Sequence, residues 1–390
     1  VVMDPNTVEI LAMSSRPSYD PNNYQNYTMD VLSRNLPIWA SYEPGSTFKI
    51  STFAAALEEG LIDMDNDHFY DSGSVIISGA RIGCWKAGGH GDQTFLQVLQ
   101  NSCNPGFVKL GQLLGKEKLF SYLDLFGFGS KTGIDLNGEG EGIIFSLDKV
   151  GELELATTAF GQGVSVTPIQ QVTAVSSIVN GGKLYQPYIV KNILEPETNT
   201  IIKSNDAKFV RNTISLETSL KMRRALESVV ALGGGKAAYI DSYRVGGKTG
   251  TAQKVENGRY LVGNYIMSFM SVVPSNDPKA VLYIALDNPK NTALLSSYTT
   301  TPIARRVLLD IIDALDIPKQ EGQIEKDYTW DDKVYYEVPN VEGLEVKEAK
   351  KLLTNWKIEY VGSGNKVISQ SPKSGERLAM DEIIVLLLGD

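Results

Sequence analysis

The stretch YEPGSTFK at positions 42–49 constrains the fold most strongly, because a helix start and two reactive side chains coincide there. Pro44 and Gly45 interrupt the chain, and the run that follows predicts a helix from Ser46, ended by Gly60. A serine at a helix N-terminus lies among free backbone N–H groups at the positive end of the dipole. Lys49 follows one turn later on the same face, so its amine can take a proton from the serine hydroxyl. Because both residue types are common, S-x-x-K alone is a weak signal.

Length and composition indicate a folded protein with one large and one small domain. The chain has 390 residues, and its contents of 42% apolar and 21% charged residues are typical of globular proteins. A formal net charge of −9 argues against nucleic-acid binding and against a basic membrane-surface face. No apolar run reaches the length of about 20 residues that spans a bilayer. The opening VVMDPNTVEILAM predicts a strand pair and resembles no signal peptide or natural start, so we expect a fragment with any anchor upstream.

The periodicity of the chain predicts an α+β fold. Helical patterns cover 93–102, 106–115, 215–232 and 300–315, whereas strand patterns cover 243–255, 265–274 and 280–288. Three neighbouring strands joined by short turns imply an antiparallel sheet with helices packed on it. The polar composition of 317–333 predicts a linker between a large domain, 1–316, and a small αβββ module, 334–390.

Two further motifs carry reactive or ligand-binding side chains. Ser102-Cys103-Asn104 lies between two predicted helices, and Lys248-Thr249-Gly250-Thr251 lies in a predicted strand. A lysine and a hydroxyl on a strand edge can bind a carboxylate, and the glycine lets a substrate backbone approach closely. Two other segments match these motifs, Lys131-Thr132-Gly133 and Ser363–Lys366. Both lie in turn-rich sequence, where a structural turn is the better interpretation.

The ordered series S-x-x-K at 46–49, S-x-N at 102–104 and K-T-G at 248–250 resembles class B penicillin-binding proteins, which are monofunctional D,D-transpeptidases. The opening strands and GQG at 161–163 fit that class as well. The C-terminal EVPNVEGLEVKEAKKLL resembles one PASTA module, which would bind wall fragments or serve as a spacer. The resemblance implies the penicillin-binding/β-lactamase-like fold, with an antiparallel sheet flanked by helices.

The resemblance also implies a role for each motif residue. Ser46 would attack the carbonyl of a D-Ala-D-Ala stem peptide, Lys49 would act as its base, and Ser102 would relay a proton. The substrate-binding residues would be Asn104, Lys248, Thr249, Gly250 and Thr251. β-Lactams would acylate the same serine, and the chemistry needs no cofactor.

The resemblance further implies a place and a partner. The enzyme would act outside the cytoplasmic membrane, anchored by an N-terminal helix and working with a glycan polymerase. One C-terminal module and the cysteine usage favour a sporulation enzyme over a vegetative division enzyme. A non-cross-linking sensor of β-lactams or wall fragments is the alternative from another class.

Both cysteines and both histidines lie between positions 68 and 103, which is a narrow window for a chain of this length. Three interpretations stay open: two free thiols, a Cys84–Cys103 disulfide, or a structural zinc site. The zinc ligands would be Cys84, His90 and Cys103, completed by His68 or by Asp65, Asp67 or Asp71. Because Cys103 is the middle residue of S-x-N, a metal there would brace Ser102 and Asn104.

Overall fold

The computed structural model describes residues 1–256, 258–289, 296–326, 335–354, 356–379 and 382–389. The chain divides into two compact units, Val1–Lys326 and Asp327–Asp390. Among the described residues, no helix combines the length and the apolar character that crossing a bilayer requires.

The first unit contains both helices and strands. Its helices are α1 (Met29–Ser33), α2 (Leu36–Trp39), α3 (Lys49–Glu58), α4 (Phe95–Gln100), α5 (Asn104–Leu125), α6 (Glu152–Thr158), α7 (Pro168–Val179), α8 (Leu216–Leu232) and α9 (Ser296–Ala314). Its strands are β1 (Val2–Met3), β2 (Ile10–Ala12), β3 (His68–Asp71), β4 (Ser74–Ile77), β5 (Ala80–Gly83), β6 (Gly91–Thr94), β7 (Lys183–Gln186), β8 (Asn192–Leu194), β9 (Ile201–Ser204), β10 (Lys208–Asn212), β11 (Gly246–Glu256), β12 (Arg259–Val273) and β13 (Ala280–Asp287).

A five-stranded antiparallel sheet with the order β11-β12-β13-β1-β2 organises this unit. The first strand of the chain lies beside β13, with Val2 opposite Leu282. The β11 strand is at the sheet edge, so one side of its backbone faces away from the sheet. The antiparallel arrangement and the α+β class predicted from the sequence are confirmed.

The sheet separates two apolar cores, because successive side chains of a strand point to opposite faces. On β12, Phe269 packs in the core that contains α9, with Leu308 among its members. Its neighbour Met270 packs on the other side, in the larger core that contains α3. Residues 49–57 of α3 are all buried, so this helix runs through the centre of the larger core.

The predicted helices differ from the observed ones at their ends, most clearly in two cases. The predicted helix from Ser46 begins as a 3₁₀ turn over Gly45–Thr47, and the α-helix starts at Lys49. The predicted helix over 106–115 continues to Leu125, with Gly115 in a left-handed conformation (φ 71°) that kinks it. Sequence patterns set helix ends poorly, because tight terminal turns and kinks leave the apolar period nearly unchanged.

The second unit is a small module with its own core. It contains β14 (Tyr335–Glu337), α10 (Val346–Leu352), β15 (Lys357–Gly362), β16 (Lys366–Ser371), β17 (Arg377–Ala379) and β18 (Ile383–Gly389). The β18 strand pairs with both β15 and β16, and Ala349 of α10 packs with Val367 and Ile384 of this sheet. The β14–β17 pair adds to the αβββ pattern expected from sequence.

The predicted linker, 317–333, is described only to residue 326, and these described residues belong to the first unit. Ile317 is buried, and Gln323 Nε2 donates to Ile240 O at 2.9 Å. Glu227 on α8 accepts the backbone N–H of Ile324 at 3.0 Å, and Arg244 donates to both of its carboxylate oxygens, at 3.2 Å from Nε and 3.0 Å from Nη2. The buried Glu227 carboxylate therefore attaches residues 317–326 to α8 of the first unit.

We expect Glu227→Ala to lower the free energy of unfolding of the protein by about 3 kcal/mol, because Arg244 loses its buried partner. The matched control is Glu217→Ala on the same helix, whose exposed pair with Lys221 contributes little. Urea denaturation measures both. Equal, small losses in the two variants would contradict the role given to Glu227.

Candidate active site

Ser46 lies in the 3₁₀ turn that leads into α3, and it is partly exposed between buried neighbours. Gly45 precedes it with a φ of 56°, and a β-carbon there would lie 2.9 Å from Thr251 O. Thr47 anchors the turn to α7, because its hydroxyl donates to Gln171 Oε1 at 2.7 Å. The serine is therefore presented on a rigid turn that packs directly against β11.

Lys49 is fully buried one turn after Ser46. Its ammonium donates to Ser102 O at 2.8 Å, to Ser102 Oγ at 3.2 Å and to Asn104 Oδ1 at 2.6 Å. Burial lowers the pKa of Lys49 to about 7, and the weaker influence of Cys103 and Cys84 acts in the opposite direction. The amine is therefore close to the point at which it can exist uncharged at neutral pH.

The S-x-N motif forms the junction between α4 and α5, as the sequence indicates. Ser102 has a φ of 53°, and this left-handed residue turns its hydroxyl and carbonyl toward Lys49. Asn104 Oδ1 accepts from Lys49, while Asn104 Nδ2 donates to Gly83 O at 3.3 Å. Because an amide nitrogen has two hydrogens, one donor remains for a ligand.

The K-T-G motif lies on the edge strand β11. Lys248 is fully buried, and burial followed by the charge of Lys49 holds its pKa well below the usual lysine range. Gly250 leaves no room for a β-carbon beside Thr47, and Thr251 Oγ1 lies 2.6 Å from Ser296 Oγ. The predicted residues of all three motifs therefore meet around the Ser46 turn.

The second K-T-G match and the second S-x-x-K match both lie away from the Ser46 turn. Thr132 donates through its backbone N–H to Glu139 Oε1 at 2.7 Å, so that KTG is the turn expected from sequence. Ser363 and Lys366 belong to the second unit, at the turn between β15 and β16.

Sequence reasoning missed the contribution of Glu43. Its carboxylate accepts Gly163 N–H at 2.9 Å and lies 3.2 Å from the Tyr260 hydroxyl of β12. Desolvation raises the pKa of Glu43, and the hydrogen bond from Gly163 acts against that rise. Glu43 thus joins the Ser46 loop to the GQG turn and to the β11–β12 hairpin. Its position directly before Pro44-Gly45-Ser46 was the available signal.

Ser296 was missed as well. Its hydroxyl is buried, lies beside Thr251 Oγ1 and donates to Gly250 O at 2.5 Å, so it fixes the end of the K-T-G-T run. Nothing in the local sequence SSYTT marks this role, because α9 reaches β11 only through tertiary packing.

Asp71, Cys84, His90 and Cys103 form one cluster, in which the possible ligand atoms lie within 4.8 Å of one another. His90 Nδ1 is 2.9 Å from Asp71 Oδ2 and 3.3 Å from Cys84 Sγ, and both cysteines are free thiols. The structure corrects one member of the predicted set. His68 is half exposed and pairs with Asp92 at 2.8 Å, because it lies three residues before Asp71 on β3 and so points to the other face.

The two other carboxylates considered from sequence are also engaged outside this cluster. Asp65 pairs with Arg224, and Asp67 accepts the backbone N–H of Asp63 at 2.8 Å. Asp71 is the aspartate that completes the group.

The sequence profile described as penicillin binding protein transpeptidase domain matches residues 1–310, and the PASTA domain profile matches residues 336–390. The chain is 54% identical over 378 residues to stage V sporulation protein D of Bacillus subtilis (strain 168), covering 97% of this chain and 58% of that protein. It is 32% identical over 346 residues to the peptidoglycan D,D-transpeptidase FtsI homolog of Mesostigma viride, covering 82% of this chain and 57% of that protein. The chain thus spans less than two thirds of these relatives.

Solved structures agree with these matches. Penicillin binding protein 3 from Mycobacterium tuberculosis, complexed with aztreonam, gives a TM-score of 0.75 at 26% identity and covers 84% of this chain and 75% of that one. The D,D-transpeptidase domain of a peptidoglycan glycosyltransferase from Eggerthella lenta gives 0.73 at 27% identity, with coverages of 81% and 78%.

The close packing at Gly161 yields a test of the site's rigidity. Gly161 has a φ of 87°, and a β-carbon there would collide with Gly45 O. Gly138 has a φ of 84° with open space around it. Both alanine variants lose about 1–2 kcal/mol from the left-handed backbone, and we expect Gly161→Ala to lose about 2 kcal/mol more from the collision. Chemical denaturation measures both, and equal losses would show that the two loops are not tightly joined.

Proposed function

The chain belongs to the penicillin-binding protein transpeptidase family, and on that premise we propose that it is a serine D,D-transpeptidase that cross-links peptidoglycan stem peptides. The observation that carries the proposal is the buried Lys49 ammonium held against Ser102 and Asn104, one turn after Ser46. The relative from Mesostigma viride is named a peptidoglycan D,D-transpeptidase, which supports the same reaction class.

In the first half-reaction, Ser46 Oγ forms an ester with the carbonyl carbon of the penultimate D-Ala, and the amide bond to the last D-Ala breaks. Neutral Lys49 takes the hydroxyl proton, and its burial supplies the lowered pKa that this role requires. Ser102 Oγ, 3.2 Å from Lys49 Nζ, passes a proton to the departing amine. An amine from a second stem peptide then attacks the ester, which forms the cross-link and restores Ser46.

The opposite wall holds the substrate. Lys248, Thr249 and Thr251 bind the terminal carboxylate, whose negative charge offsets the cost of burying Lys248. Gly250 lets the peptide backbone approach β11, and the free Nδ2 hydrogen of Asn104 binds a substrate carbonyl. The backbone N–H groups of Ser46 and Thr251 stabilise the oxyanion, with about 3 kcal/mol for each donor.

We place this activity in sporulation wall (cortex) synthesis outside the cytoplasmic membrane, on the strength of the 54% identity to stage V sporulation protein D. The proposal includes membrane anchoring and a glycan polymerase partner, both of which rest on the family resemblance. A vegetative division role is the alternative.

β-Lactams should acylate Ser46, because they present a reactive amide to the same site, and a relative of this fold is solved with aztreonam. We expect a fluorescent penicillin to label the wild-type protein and not Ser46→Ala. Ser363→Ala, which alters the second S-x-x-K, is the matched control and should label like the wild type. Absence of wild-type labelling would contradict the proposal, and labelling without cross-linking of a donor stem peptide would favour a sensor.

We also propose that Asp71, Cys84, His90 and Cys103 hold a structural zinc ion. Ligand atoms around tetrahedral zinc lie about 3.3–3.8 Å apart, so the observed group needs only a small contraction. A carboxylate, an imidazole and two thiols are a donor set that zinc accepts. Asp71 is already oriented by the backbone N–H groups of Gly73 and His90, at 2.8 and 3.0 Å.

The proposed metal would act on the site through Cys103, the middle residue of S-x-N. With Cys103 fixed, the carbonyl and hydroxyl of Ser102 and the amide of Asn104 keep their places beside Lys49. No step of the proposed acyl transfer through Ser46 involves the ion.

The two histidines provide a matched pair for testing the zinc site. We expect about one zinc per chain in the purified wild-type protein and in His68→Ala, and a loss of most of it in His90→Ala and Cys84→Ser. Elemental analysis measures the zinc content. Adding a chelator should lower the midpoint temperature of thermal unfolding of the wild-type protein relative to the untreated protein. A wild-type protein without zinc, or equal contents in the two histidine variants, would end the proposal.

A further inference from the structure

The segment Gly83–Trp85 forms the outer rim of the wall that carries Ser102 and Asn104. Gly83 O accepts from Asn104 Nδ2 at 3.3 Å, and Trp85 Nε1 donates to Asn101 O at 2.7 Å. These two contacts hold the rim against both sides of the S-x-N turn. The rim is therefore attached to the turn, and both Gly83 and Trp85 are exposed to solvent.

The indole of Trp85 is held in one orientation and yet remains open to solvent. Its N–H is satisfied by Asn101, and one ring edge meets His90, with ring centroids 5.4 Å apart at an angle of 66°. Even so, 61% of the residue is exposed. A large, oriented aromatic surface beside a reactive site is a typical binding platform, because little conformational entropy is lost when a ligand covers it.

The direction of the proposed substrate leads toward this ring. The terminal carboxylate is assigned to Lys248 and Thr249 on β11, and the scissile carbonyl lies at Ser46. The preceding part of the peptide must then leave across the opposite wall, past Asn104. Gly83, which contacts Asn104, and Trp85, which contacts Asn101, lie on that wall, and the exposed Lys86 that follows adds a positive charge.

We propose that Trp85 is a substrate-binding residue that contacts the part of the stem peptide preceding D-Ala-D-Ala, with Lys86 favouring an acidic group there. The inference rests on the proposed function and adds a specificity role to a residue outside the three motifs. The Trp85 ring would supply apolar contact to the peptide, and its hydrogen bond to Asn101 O holds it beside the S-x-N turn.

Two ester substrates with the same D-Ala-D-lactate end test this role, one with the full stem peptide and one with only an acetyl group. We expect Trp85→Ala to lower kcat/KM for acylation by the long ester about 10-fold and to change that of the short ester less than about 2-fold. Trp85→Phe keeps a ring and should retain most of the long-ester rate. Tyr70→Ala removes another exposed aromatic, on β3, and should change neither rate.

Equal losses for both esters in Trp85→Ala, or a Trp85→Phe variant as poor as Trp85→Ala, would overturn the proposal, because bracing of the S-x-N turn would then explain the effect. No loss with the long ester would overturn it as well. Metal content is measured in every variant, so that a loss of the neighbouring cluster is recognised. Failure of the wild type to react with either ester would instead refute the transpeptidase assignment.

Discussion

The burial of one ammonium group organises this site. The Lys49 side chain is fully buried, and its ammonium donates to Ser102 and Asn104, which are neutral acceptors. Burial disfavours the charged form and lowers the pKa of Lys49 to about 7. Neutral oxygens offset that cost less than a carboxylate would. A carboxylate in place of Asn104 would hold the lysine charged and remove its capacity to act as a base.

The rest of the first unit can be understood as support for that arrangement. The α3 helix places Lys49 in the larger core, the α4–α5 junction presents its acceptors, and the edge strand β11 packs against the turn before it. The contacts at Gly45 and Gly161 leave no space for a side chain, so the turn that carries Ser46 is fixed by backbone packing rather than by flexible groups. The proposed zinc would extend this support to Cys103.

Much of this could be predicted from sequence because each motif carries its own local context. Ser46 follows a chain break and begins a helix, Ser102 lies between two helical patterns, and Lys248 lies in an alternating strand. The roles of Glu43 and Ser296 could not be predicted, because they arise where distant segments meet. The choice between His68 and Asp71 likewise depended on which face of β3 turns inward, and that is set by pairing with β6.

The most direct test of this account is the titration of Lys49 itself. NMR of protein with isotopically labelled lysine side chains, assigned with Lys49→Arg, reports the pKa of its ammonium. We expect a value near 7, so that the neutral fraction grows as the pH rises through that value. Titration of Lys49 in the ordinary lysine range, near 10.4, would contradict the assignment of this residue as the base.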